Sequence, residues 1–352
     1  MMLNLINTSS SLVRRVDVLL NNPDIPELEM LAPEVRVVRL SKRPEGPSAI
    51  WSLKNYMERA HPKVILTNRE RANRTLALAT LFSHHRPKVV FRVGMPITTA
   101  LKRRGPIKRF LREKAITWSY GKADLIIANS KKVAEDVSYV TGISPKKIRV
   151  LKNPTISPRI YELSMANCPH RWLREPSDLK VILAIGRLAR QKDFPTLIRA
   201  FSLVLKEERE ARLIILGEGK ERGHLEGLVE GLGLSGKVDL PGFTHNPFSY
   251  LVRASCFVLS SAWEGSPNVL IEALSLGVPS VATDCPTGPR EILEGGRYGP
   301  LVKIGAPAEM ARAILDTLRH PPPRERLKEA VAPYHADVAT KAYLKTIGLI
   351  HG

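Results

Sequence analysis

CFVLSSAWEGSPNVLIEALSLGVPSVATD (256–284) decides the fold class. It opens on a β-rich run, CFVLSS (256–261), breaks at Glu264-Gly265 and turns helical at about Pro267-Asn268. It closes on a second β-rich run, PSVATD (279–284). Strand, helix and strand within about thirty residues make a βαβ crossover, which joins parallel strands.

Similar units lie on both sides. KVILAIG (180–186), RLIILG (212–217), KVDLPG (237–242) and GPLVKI (299–304) read as further strands of the same series. In the first half VRVVRL (35–40), KVILT (63–67), KVVFRV (88–93), DLIIA (124–128) and KIRVL (147–151) repeat the pattern, with helical stretches between. The fold class is therefore α/β, with two Rossmann-like parallel-sheet domains. Asn153-Pro154 to about Ser177 is Pro-rich and aperiodic, and Pro321-Pro322-Pro323 interrupts the tail. The expected organisation is an N-terminal domain over 1–152, a linker over 153–178, a C-terminal domain over 179–320 and a helical tail over 321–352 that packs back on the N-terminal domain. Open α/β sheets bind ligands outside the carboxyl ends of their strands, so the expected site is the cleft between the domains.

Length and composition agree. The 352 residues suggest about two domains, and 43% hydrophobic with 25% charged residues is ordinary for globular chains. Cys168, Cys256 and Cys285 are odd in number and in no CxxC pair, which argues against a disulfide framework or thiolate zinc site and suits a reducing cytoplasm. No apolar run reaches a membrane span and the start lacks a charged leader region. Of the net charge of +20, residues 1–152 carry +17 (29 Lys and Arg against 12 Asp and Glu) and residues 153–352 carry +3 (25 against 22). Such a field favours an anionic partner. Aromatics are only 6% and no nucleic-acid-binding motif occurs, so a nucleic-acid partner is not expected.

Two clusters carry chemistry. In IGRLARQKDF (185–194), Gly186 lets the backbone turn at a strand end, and Arg187 and Lys192 can neutralise a diphosphate. In 260–284, the helix N-terminal amides of Asn268 and Val269 can hold phosphate, Glu272 in the first turn can accept from a ribose diol, and Glu264 on the loop would point into the cleft. The plain alternatives are solvated surface charges and helix-dipole placement. His84-His85, His224 and His245 read as surface or structural residues.

Glu264 and Glu272, with GRLxxQK, LGEGxxxxxLE (216–226), LPGF (240–243) and DCPTGPREIL (284–293), resemble the retaining glycosyltransferases of family 4, the glycosyl transferases group 1 type with the GT-B fold. The match is dense over about 180–305. It is looser through KVILTNRERAN, DLIIANSKKVAEDV and VLKNP in the first half. The resemblance implies that Arg187 and Lys192 bind a donor diphosphate in place of a metal, Glu272 the ribose and Glu264 a hydroxyl of the donor sugar. Gly242 and Phe243 would sit near the base, with Gly186, Gly265, Asn268 and Val269 completing the donor site. Glu264, Arg187 and Lys192 would be the catalytic set. No Asp-x-Asp occurs, so no metal and no cofactor are expected beyond the nucleotide-sugar substrate. DCPTGPREIL is most similar to members that use UDP-hexoses or UDP-N-acetylhexosamines.

Two features depart from the family. The chain opens with MMLNLI, which resembles the family's first helix, so the first strand and glycine-rich loop are expected to be missing and the N-terminal domain incomplete. In FRVGMP (91–96), Gly94 stands about where many relatives carry a His, and no role is transferred there.

LKRRGPIKRFLREKAITWSY (101–120) sets an apolar stripe of Ile107, Phe110, Leu111 and Trp118 beside Lys102, Arg103, Arg104, Lys108, Arg109 and Arg112. Such a helix can lie on an anionic membrane surface or pack its stripe on the core. The leading expectation is a cytoplasmic glycosyltransferase, peripheral on the inner face of the plasma membrane, acting on a polysaccharide or lipid-linked glycan. The alternative is a catalytically impaired nucleotide-sugar-binding partner or regulatory protein of the same fold.

Overall fold

The computed structural model describes residues 1–21, 25–41, 46–101, 105–175 and 177–351. The chain forms two units, Met1–Pro154 with Ala336–Gly352, and Thr155–His335.

The second unit carries six parallel strands: β7 (Lys180–Ile185), β8 (Ala211–Leu216), β9 (Val238–Gly242), β10 (Cys256–Leu259), β11 (Ser280–Thr283) and β12 (Leu301–Val302). Their spatial order is β12-β11-β10-β7-β8-β9. Val181, Ile182, Leu183 and Ala184 are all at most 1% exposed, because helices cover both faces of a parallel sheet and each residue of the run is buried. Val181 and Leu183 pack with Leu270 and Leu274 on one face, Ile182 and Ala184 with Phe201 and Ile314 on the other. The order reverses between β7 and β10, the kind of switch point at whose carboxyl ends open α/β sheets bind ligands.

The stretch expected to be a linker folds into this unit from Thr155 on: it forms the helix Pro158–Ser164 and buries Ile156, Ile160, Cys168 and Leu173 in the unit's core. Backbone amides of Thr155 and Ile156 both donate to the Tyr334 carbonyl at 3.0 Å. The expected tail also divides, since Leu327, Val331 and Tyr334 belong to the same core.

The first unit holds β1 (Asp17–Leu20), β2 (Arg36–Arg39), β3 (Val64–Thr67), β4 (Lys88–Val93), β5 (Leu125–Ala128) and β6 (Ile148–Val150). All pairings are parallel. Among the described residues the β2 run, expected as part of one large sheet, pairs with β1 alone, and β3-β4-β5-β6 form a separate four-stranded sheet. Alternation along β4 sends Phe91 and Val93 toward Met57, Leu76 and Ile116, and Val90 toward Leu5, Tyr343, Leu344 and Ile347. The latter three lie on the C-terminal helix Ala336–Ile347, which thus covers one face of this unit's sheet. Local chemistry sets the ends of the helix Lys131–Thr141: the Ser130 hydroxyl accepts from the Val133 amide at 3.2 Å, and Gly142 closes it at φ +68.

Candidate functional site

The β7 strand delivers Gly186, and β10, hydrogen-bonded beside it through the Ile182–Cys256 and Leu183–Phe257 pairs, delivers Ser260 to Glu264. Both loops therefore leave the sheet at the switch point. The Lys192 side chain folds back over Gly186, where an added Cβ would stand 2.7 Å from Lys192 Cε. Gly217, at φ +137, presses against the same turn, and a Cβ there would fall 2.0 Å from the Gly186 carbonyl oxygen. Only glycine satisfies both the dihedral and the approach.

Several bonds stitch the two loops together. Lys192 Nζ donates to Glu264 Oε1 at 2.7 Å, and Ser261 Oγ donates to the same oxygen at 2.7 Å. Ser260 Oγ donates to the Lys192 carbonyl at 2.6 Å, Gln191 Nε2 to the Trp263 carbonyl at 2.9 Å, and the Ala262 amide to the Gln191 carbonyl at 2.9 Å. Thr283 Oγ1 reaches the Ser261 carbonyl at 2.6 Å, and Thr287 Oγ1 donates to the Glu264 carbonyl. The Lys192 and Glu264 side chains are only 16% and 9% exposed, so theirs is a largely desolvated ion pair, of the kind in which removing one partner costs about 3–5 kcal/mol. Arg187 is exposed beside them, and its side chain makes no hydrogen bond or ion pair among the described residues.

The structure thus brings Gly186, Lys192 and Glu264 together at the carboxyl ends of β7 and β10, with Gly265 next to Glu264 in the chain and the exposed Arg187 next to Gly186. It binds Lys192 to Glu264 directly, where the sequence suggested two separate subsites. The helix Asn268–Ser275 begins as expected, and Asn268 Oδ1 accepts from Thr155 Oγ1 at 3.2 Å. Glu272 is the fifth residue of that helix, one turn inside its start as expected. Burial pushes its carboxyl up to about 7. Gly242 accepts the Gly217 amide at 2.8 Å, and Phe243, 68% exposed, meets His245 edge-on at 5.0 Å. Gln191, Ser260, Ser261, Thr283 and Thr287 were missed by sequence reasoning. Short hydroxyl and amide side chains after a strand are too common to stand out until their carbonyl partners are placed.

Of the basic stretch, Lys102, Arg103 and Arg104 lie outside the described residues. Lys108 and Arg109 are exposed on the helix Pro106–Gly121, whereas Arg112 is paired with Glu70 and is not a free surface cation. Ile107, Phe110, Leu111 and Trp118 are 75%, 59%, 62% and 41% exposed, so the stripe faces outward and the helix packs through Ile116 and Tyr120 instead. His85, read as a surface or structural residue, has its Nδ1 3.3 Å from that of His61. Among the described residues no three His, Cys, Asp or Glu side chains gather as a metal site. Cys256 and Cys285 are buried, and burial pushes each thiol up to about 12. No described helix is long and apolar enough to cross a membrane.

Residues 170–332 match the family described as Glycosyl transferases group 1, and residues 5–155 match Glycosyltransferase Family 4. The chain is similar to an uncharacterized glycosyltransferase of Methanocaldococcus jannaschii, 41% identical over 189 residues that cover 51% of this chain and 44% of that protein. It is similar to the N-acetylgalactosamine-N,N'-diacetylbacillosaminyl-diphospho-undecaprenol 4-alpha-N-acetylgalactosaminyltransferase of Campylobacter jejuni, 33% identical over 66% of this chain and 61% of that enzyme. With the lipopolysaccharide core biosynthesis glycosyltransferase LpsE of Rhizobium meliloti it shares 32% identity over 64% of each chain. The chain therefore spans 44% to 64% of the length of these relatives. Among solved structures it superposes on HepE from Anabaena in complex with UDP-glucose with a TM-score of 0.76 at 20% identity, covering 98% of this chain and 94% of that one. The lipopolysaccharide outer core galactosyltransferase WaaB in its apo form gives 0.74 at 19% identity, covering 99% and 94%. These likenesses show the fold. One family match thus falls on each unit, a Glycosyltransferase Family 4 domain followed by a Glycosyl transferases group 1 domain, and the parallel sheets of both units are those of the GT-B fold.

Proposed function

We propose that this chain transfers a hexose or N-acetylhexosamine, with retention, from a UDP-linked donor to a polysaccharide or lipid-linked glycan. The observation that carries this reading is the Lys192–Glu264 pair at the β7–β10 switch point with the exposed Arg187 beside it. Arg187 and Lys192 would take the donor diphosphate, the amides of Asn268 and Val269 a phosphate oxygen, and Glu272 the ribose diol. Glu264 Oε1 already accepts from Lys192 and Ser261, which suits a carboxylate that orients a sugar hydroxyl rather than a nucleophile. The bond between the sugar C1 and the diphosphate oxygen breaks while the acceptor hydroxyl oxygen bonds to C1, and its proton passes to the departing phosphate. Charge grows on that phosphate as the bond breaks, so two cations beside it lower the barrier more than they strengthen ground-state binding. The reading assigns this neutralisation to the two cations, without a metal. Support for the substrates comes from the relatives: the Campylobacter enzyme is named for a diphospho-undecaprenol glycan, and HepE is solved with UDP-glucose. The outward Ile107, Phe110 and Leu111 with Lys108 and Arg109 support attachment to an anionic membrane surface, where each cation contributes about 1 kcal/mol.

A thermal-shift titration with UDP, GDP, ADP and UDP-sugars in EDTA tests the donor assignment. A ligand at one hundred times its Kd stabilises the folded state by about 2.7 kcal/mol. A UDP-selective rise that persists in EDTA and disappears in Arg187→Ala is expected, and no rise with any nucleotide would refute the donor site. Donor binding without transfer to any glycan acceptor would favour the partner or regulatory reading.

A further inference from the structure

Arg92 is a buried cation that neither the core nor the donor site explains. It lies between Phe91 and Val93 on β4 and so enters the opposite layer, under the C-terminal helix, where it is 7% exposed. Its Nε donates to Tyr343 Oη at 3.2 Å and its Nη2 to Asn153 Oδ1 at 2.6 Å, both neutral partners. Among the described residues no carboxylate pairs with it. A guanidinium does not deprotonate in a protein, so burial without a counter-ion leaves a costly charge. Beside it Asn129, 3% exposed, donates Nδ2 to the Gly94 carbonyl at 3.1 Å while its Oδ1 is buried with no hydrogen-bond partner. Half-buried Gly94 adjoins both side chains: a Cβ built there would stand 3.3 Å from Arg92 Nη1 and 3.8 Å from Asn129 Nδ2. With glycine at 94 no Cβ stands against that guanidinium edge, and Nη1 makes no hydrogen bond among the described residues. An unsatisfied donor edge and an unsatisfied acceptor thus lie together at the carboxyl ends of β4 and β5, the edge of a parallel sheet at which ligands bind.

We propose that Arg92, Gly94 and Asn129 form a subsite for an oxyanion of the acceptor, a phosphate or carboxylate held by Arg92 with a neighbouring hydroxyl given to Asn129 Oδ1, so that the acceptor is an acidic glycan. This rests on the glycosyltransferase reading above and narrows its acceptor. Guanidinium matches both oxyanions in plane and spacing, and the +17 carried by residues 1–152 draws anions toward this unit.

The test uses the full chain carrying Arg187→Ala, which removes a donor-side cation, titrated with glucose 1-phosphate, glucuronate and glucose while the melting temperature is followed. One or both acids should raise it and neutral glucose should not, and which acid acts tells phosphate from carboxylate. Adding Gly94→Asp sets a carboxylate against Arg92 and should weaken the acid's affinity about tenfold or more. Asn129→Ala, which removes the orphan acceptor, should weaken it too, with the fold of both checked by far-UV circular dichroism. No response to either acid, or a response that survives both substitutions, overturns the subsite. A response seen in the unsubstituted chain and abolished by Arg187→Ala alone places the anion at the donor site, overturning this proposal while leaving the function standing. Loss of the UDP response in the unsubstituted chain would refute the function separately.

Discussion

Replacing Lys192 with Met probes the pair at the centre of the site. Met keeps the stem that lies on Gly186 and removes the charge, leaving Glu264, 9% exposed, with Ser261 Oγ as its remaining side-chain partner. Removing one member of a buried pair costs about 3–5 kcal/mol, and the retained hydrogen bond to a charged acceptor offsets part of that, so about 3 kcal/mol is expected. Lys192→Met with Glu264→Gln replaces the pair by neutral groups of similar shape and should cost only about 1 kcal/mol, a coupling of about 2 kcal/mol or more. Urea denaturation measures it with Trp51 and Trp118 changed to Phe, so that Trp172 and Trp263 of the second unit report alone. A cost below about 1 kcal/mol for Lys192→Met, the value of a solvent-exposed pair, would refute the reasoning, as would a double variant that costs the sum of the singles.

Three other expectations follow from the same geometry. Arg187→Ala should leave the ligand-free melting curve within about 0.5 kcal/mol of the parent, because the exposed side chain makes no hydrogen bond or ion pair among the described residues, yet weaken UDP about 10- to 100-fold, and calorimetric titration that finds unchanged affinity removes the diphosphate assignment. Glu272 binds its proton more tightly folded than unfolded, so its burial costs nothing below the ordinary carboxyl value of 4.5, reduces stability as pH rises toward about 7, and above that costs about 3 kcal/mol. Glu272→Gln should flatten that slope and raise stability at pH 8, and an unchanged pH profile of the urea midpoint would exclude the buried carboxyl as its source. Lys108→Glu with Arg109→Glu should lower sedimentation with phosphatidylglycerol vesicles by about 2 kcal/mol or more in binding energy, with no change on phosphatidylcholine. Equal loss on both would point to the apolar residues instead.

The α/β class and the strand series are legible in the chain without any tertiary contact. Strands such as KVILAI are buried on both faces, so their continuous apolar runs are visible without neighbours. The sequence also marked Gly186, Lys192 and Glu264, because a glycine at a strand end and charges on the following loop are local features. Only the tertiary structure joined Lys192 to Glu264, 72 residues apart, since that contact exists because β10 lies beside β7 where the strand order reverses. The same holds for what the sequence misplaced. Ile156 and Leu173 look like linker residues until the second unit's core encloses them, and the tail divides because Tyr334 and Tyr343 are buried in different units. Arg92 reads as an ordinary strand residue, and only the packing of the C-terminal helix over β4 makes it a buried charge. Burial, register and charge pairing over long separations depend on which surfaces meet, and local sequence carries no record of that.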